Sequence, residues 1–228
     1  MELKRLEEYS IEDQKELKRF HKAFLLFFIG VIFLVVGTIS LATNINGVPQ
    51  ILTFLSIFSS VGYLLFFIGL FMIMKLNKSF LYSFISISIF ILLVYMVYLC
   101  GNSTSLFDNE IGRGLSWSKN FAQCIFFLYF FQGCLLFFQK HEFSKGTKQF
   151  KLFIIIFASL FILNEVFEYL STARFVMVNR FANRFFLYGF WGLTFLVYTF
   201  LFVAAILTSR YINKQINFKK NKEEIADE

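Results

Sequence analysis

Two glutamates, Glu165 and Glu168, stand three residues apart inside the apolar run "FILNEVFEYLST", with Asn164 beside the first. On a helix that spacing turns both carboxylates toward one side, where a single ligand can reach them together. A carboxylate pair in apolar surroundings can hold a cation, relay a proton or divide acid and base work between its members. Arg174, Arg180 and Arg184 follow in "TARFVMVNRFANRF", and the last two, four residues apart, share a helical face. Two readings follow for Asn164, Glu165, Glu168 and the three arginines. One is a Glu–Arg network that locks neighbouring helices together. The other is an acidic, water-accessible cavity for a cation, a proton or a polar group of a partner.

The surrounding sequence decides how costly this arrangement is. Of the 228 residues 57% are hydrophobic and 36 are phenylalanine. The apolar residues fall into continuous runs of about twenty, the length that crosses the hydrocarbon core of a bilayer as a helix. Short alternating segments of the kind that build a membrane β-barrel are missing. The expected fold is therefore all-α: a polytopic bundle of six transmembrane helices at about 23–43, 50–74, 80–100, 121–138, 152–171 and 185–209. Residues 1–22 form a charged N-terminal helix, 23–209 the membrane domain and 210–228 a charged tail. The first apolar run is of full membrane length and follows a long charged stretch, so it reads as a retained anchor and not a cleavable signal peptide.

Lys and Arg set the expected orientation. Seventeen lie in 1–22, 75–78, 139–151 and the segment from Arg210 onward, against five in the connections on the other side. That asymmetry predicts both termini in the cytoplasm. It also accounts for the net charge of +7 without nucleic acid, for which no basic aromatic platform is present. Tyr95, Tyr98, Trp117, Tyr188 and Trp191 cluster where the outer interface is expected, the depth such rings prefer.

The fifth span carries the glutamates. Counted at 1.5 Å per residue from Lys151, Glu165 lies roughly 21 Å in and Glu168 roughly 26 Å in, against a core of about 30 Å. A charged residue at the bilayer centre costs about 2.5–3.5 kcal/mol on insertion scales, and less off-centre. On a helical wheel Asn164, Glu168 and Ser171 share a stripe with Glu165 and Thr172 beside it. Phe157, Leu160, Leu163, Phe167 and Leu170 take the other side, which is expected to face lipid.

Lipid gives helices no hydrophobic reason to associate, so small residues mark expected contacts. Gly30 and Gly37 in the first span, Gly62 and Gly69 in the second, Ser56 and Ser60 beside them, and Gly189 and Gly192 in the sixth form such stripes. Cys100 and Cys124, at the facing ends of spans three and four, are a conceivable disulfide if that side is oxidising. His21 and His141 are the two histidines and neither lies inside a span, so no metal site is expected. No GxSxG, P-loop, HExxH or CxxC pattern occurs. No cofactor is expected.

These features favour a non-catalytic membrane protein that works through helix–helix interaction, of an assembly, sensing or immunity type. Its partners are the lipid bilayer, other membrane proteins or itself. The alternative is a small transporter, channel or permease subunit using the polar face of span five. A third possibility, a lipid-modifying enzyme with Glu165 and Glu168 as acid and base, lacks a nucleophile or metal in the sequence. The topology is checked by activity reporters fused after Glu228 and within the connection 101–120. The first should report cytoplasm and the second the opposite side, and a C-terminus found outside overturns six spans.

Overall fold

The computed structural model describes residues 11–43, 49–101, 110–141, 143–172 and 180–226. Among these the chain is helical throughout, with no strand. The helices are α1 (Ile11–Thr43), α2 (Pro49–Ile73), α3 (Lys78–Gly101), α4 (Glu110–Lys140), α5 (Ser144–Thr172) and α6 (Arg180–Ala226). Five contain stretches long and apolar enough to cross a membrane: Lys15–Gly37, Lys78–Met96, Trp117–Lys140, Ser144–Leu170 and Tyr188–Asn213. In α2 the corresponding apolar stretch, Ile57–Ile73, is shorter, although the helix itself has 25 residues.

Each helix packs on its neighbour in the chain, and α6 closes back on α1. Contacting residues run in opposite directions along every adjacent pair. Gly30 meets Gly62 while Phe27 meets Gly69; Asn120 meets Glu165 while Phe131 meets Phe153. The result is an up-and-down ring of six antiparallel helices. One end carries the start of α1, the finish of α6 and the α2–α3 and α4–α5 turns; it is called here the terminal end.

From Ile11 onward the charged stretch before the first span is part of α1, which runs unbroken to Thr43. Phe20, within that charged stretch, is fully buried and stacks on Phe137 at 4.2 Å. Lys140 pairs with Glu16 at 2.6 Å across the same end. The C-terminal segment also continues the helix, to Ala226, where the sequence alone suggests a disordered tail. After Gly192 the chain contains neither glycine nor proline to stop a helix.

Phenylalanine fills the ring, and α4 is its hub. Phe130 meets Phe27 of α1 edge-on at 4.6 Å, Phe126 meets Phe66 of α2 at 5.4 Å, and Phe127 meets Phe157 of α5 at 5.3 Å. Phe138 reaches Tyr211 of α6. Edge-on and offset rings of this kind add about 0.5–1.5 kcal/mol per pair beyond the area they bury. On the axis they leave a void of about 20 Å³, room for no more than a single water.

Phe157 corrects one sequence expectation. It is fully buried against Phe127 and Phe131 and does not face lipid. Leu163, expected on the same face, is exposed together with Ile155, Ile162 and Val166. The inward stripe of α5 is Phe157, Phe161, Asn164, Glu165, Glu168: aromatic toward the terminal end, polar toward the other.

Glycine permits the closest approaches. A Cβ on Gly62 would stand 2.8 Å from the Gly30 carbonyl oxygen, and one on Gly30 would stand 3.0 Å from the Gly62 oxygen. Gly69 receives the ring of Phe27, and Gly37 lies against Ser59. The serine at that contact is thus Ser59; Ser60 points outward, and the Ser56 side chain lies outside the described residues. Gly189 receives the ring of Phe167. Gly192 departs from the expected packing: nothing lies within 4 Å of where its Cβ would be, because it turns to the exposed face of α6.

A glycine missing from the sequence-based stripes, Gly133, receives the ring of Phe80. Its carbonyl accepts a 3.0 Å hydrogen bond from the Asn77 amide, while the Asn77 side-chain oxygen accepts from the Phe80 N–H and so caps α3. Ser83 adds a second bond from α3 to α4, donating to the Phe126 carbonyl at 3.0 Å.

These approaches predict a contrast between two glycines. Gly62→Ala forces a methyl against backbone that cannot step aside and should cost about 1–3 kcal/mol, read as a lower melting temperature in detergent. Gly192→Ala meets open space and should be neutral or stabilising by up to about 1 kcal/mol.

Candidate functional site

At the end opposite the termini the aromatic filling gives way to a partly open cavity of about 180 Å³. Three helices build it. From α5 come Phe161, Asn164, Glu165 and Glu168. From α4 come Lys119, Asn120 and Gln123, and from α6 Phe190, Thr194, Val197 and Tyr198, each set at helical spacing that keeps it on one face. Tyr63 of α2 joins from behind through its hydroxyl.

Each polar group has a nearby partner on another helix. The Asn120 amide nitrogen carries two hydrogens and meets two carboxylates with them, donating to Glu168 Oε2 at 2.9 Å and to Glu165 Oε2 at 3.4 Å. Thr194 donates to the Asn164 carbonyl at 3.0 Å, joining α6 to α5. The Gln123 amide donates to the hydroxyls of Tyr63 and Tyr198, which lie 3.2 Å apart. In a medium without water every such group needs a partner inside the protein, and an unmet one costs several kcal/mol. Four helices, α2, α4, α5 and α6, are thereby tied around one small space. Trp117 of α4 meets Tyr169 of α5 edge-on, rings 5.7 Å apart.

Of the residues singled out from sequence, Asn164, Glu165 and Glu168 are brought together in this cavity. Arg174 lies outside the described residues. Arg180 and Arg184 lie on the first turns of α6, and their side chains are likewise outside. The cation that the described lining contributes is Lys119. Cys124 carries a free thiol and packs on the aromatic core, and the Cys100 side chain lies outside the described residues. Among the described residues no group of three His, Cys, Asp or Glu side chains could hold a metal ion.

Sequence reasoning missed Lys119, Asn120, Gln123, Thr194, Tyr63 and Tyr198. A signal was present for two of them. Asn120 and Gln123 extend the inward stripe of α4 through Phe127, Phe130, Cys134 and Phe137 at alternating steps of three and four. They were hidden because "WSKNFAQC" looks like the polar border of a span that begins at 121.

The geometry can hold a small polar or cationic group. No family model, no curated protein and no solved structure matches the chain. The role of Asn120 is tested by exchange: Asn120→Asp replaces the donor with a third carboxylate and should cost about 1–3 kcal/mol or more, read by thermal unfolding in detergent. Adding Glu168→Gln restores a donor opposite an acceptor and should recover most of the loss, whereas additive losses would show that the contact carries little.

Proposed function

We propose that this chain is a non-catalytic membrane protein of the sensing type, which binds a small polar ligand in the α4–α5–α6 cavity and acts on a membrane partner through its helices. The observation that carries this reading is a polar cavity set above aromatic filling. Two carboxylates and several amide and hydroxyl groups line its walls, and Phe127, Phe131 and Phe157 fill the bundle beneath it. A ligand can be held there without a path onward to the terminal end. Hydrogen bonds from the lining to α2, α4, α5 and α6 give occupancy a route to the helix arrangement. The reading takes six spans in a multi-pass membrane protein, in the plasma membrane if the cell is bacterial, with both termini in the cytoplasm and the cavity open to the other side; the seventeen-to-five charge asymmetry supports this orientation.

A second reading, a transporter or permease subunit, is favoured by the same carboxylates within a membrane-length helix. It requires the aromatic filling to part so that the cavity opens toward the terminal end. Cysteine labelling separates the two. In a background with Cys100, Cys124 and Cys134 replaced, Thr194→Cys should react with a membrane-impermeant thiol reagent from the side opposite the termini alone. Ala205→Cys, placed among the filling, should react from neither side. Reaction of the residue at 194 from both sides favours transport, and reaction from neither side overturns the cavity.

A further inference from the structure

We propose that the ligand of this cavity is a small organic ammonium ion, its charged nitrogen held by Glu165 and its carbon part laid against Phe161, Phe190 and the ring of Tyr198. The proposal rests on the binding reading above and adds the chemical class.

Glu165 is the group with capacity to spare. Among the described residues it forms no ion pair, and its hydrogen bond is the long one from Asn120, 3.4 Å, while the short one goes to Glu168. Of the described lining residues Lys119 alone is cationic, against two carboxylates. A monocation at Glu165 meets a carboxylate that forms no ion pair among the described residues, whereas an anion there would meet repulsion.

The rest of the lining selects among cations. A metal ion of the kind bound by His, Cys and carboxylate clusters is not favoured, since no group of three such side chains is present among the described residues. About 180 Å³ is the liquid share of roughly six waters, far more than a single ion fills. One side of that space is polar: the oxygens of Asn164, Thr194 and the Tyr198 hydroxyl join Glu165 around the positive nitrogen, accepting its N–H groups where it has them and meeting its charge directly where it is quaternary. The other side is aromatic and aliphatic, Phe161, Phe190 and Val197. Aromatic faces attract organic cations and shed little when these displace water. A solute with one ammonium and a short carbon body matches both halves.

The same chemistry has two sources, a free amine and the ethanolamine headgroup of a phospholipid, and the test separates them. Thermal unfolding of the wild-type protein in lipid-free detergent is followed against choline, ethanolamine and 3,3-dimethylbutan-1-ol, the neutral isostere of choline. Unfolding in nanodiscs of phosphatidylglycerol, with and without phosphatidylethanolamine, is followed in parallel. Saturable stabilisation by choline or ethanolamine but not by the alcohol supports a free amine. Stabilisation confined to nanodiscs containing phosphatidylethanolamine supports the headgroup. In either case Glu165→Gln should weaken the response about tenfold or more, the loss expected of a charge-assisted contact. Equal stabilisation by the neutral alcohol, or an undiminished response in Glu165→Gln, overturns the proposal. Should that variant fail to fold, the comparison of choline with the alcohol on wild type decides. No response to any amine or headgroup, with the cysteine at 194 still labelled, removes the ammonium class and leaves the cavity. No response together with no labelling removes both.

Discussion

Phenylalanine gains little by leaving lipid tails for another phenylalanine, so a bundle in a bilayer is held by fit and not by escape from water. Every arrangement seen in this chain answers to that constraint. Glycines stand where a backbone or a ring must come close, Gly62 against the Gly30 carbonyl and Gly133 under Phe80. Rings then interlock at angles that suit their charge distribution, such as Phe27 across Phe130 at 76°. The ring of helices closes because α4 offers aromatic side chains in all directions and five neighbours use them.

The same constraint explains where polarity is allowed. A hydroxyl or amide inside the bundle survives if a partner on another helix meets it, which turns each one into a cross-link. Ser83 and Asn77 serve α3 and α4 in this way, and Asn120, Gln123 and Thr194 do so around the cavity. The inward stripes of α4 and α5 therefore have two characters along their length, aromatic near the termini and polar at the other end. The boundary falls near Phe161 and Gln123, and there the filled bundle becomes a cavity.

The fold was legible because length and hydropathy alone fix an all-helical bundle, and because closely spaced glycines announced the α1–α2 contact at Gly30, Gly37, Gly62 and Gly69. The polar half of α5 was legible too, since carboxylates in an apolar run are costly enough to stand out. What stayed hidden has physical causes. Phe157 was assigned to lipid because an apolar side chain reads identically on either face of a membrane helix. Asn120 and Gln123 were hidden by their position at a span border, where polar residues need no reason. Tyr63 and Tyr198 look like any interfacial or packing tyrosine until their hydroxyls are seen to meet. Gly192 resembled Gly189 in sequence but is turned away from the neighbouring helix, a distinction three residues of spacing do not carry.

The length of α6 bears on how a small local event would be felt elsewhere. The helix runs 47 residues, and Tyr198 at the cavity is separated from Ala226 by roughly 42 Å along its axis. It is held on the way, where Tyr211 packs against Phe138 and Phe143. A tilt of about five degrees about that contact would move Ala226, roughly 22 Å further along the axis, by about 2 Å. Were the cavity occupied as proposed, a small tilt of α6 there would be passed along the helix toward the C-terminal segment, whose sequence is rich in charge.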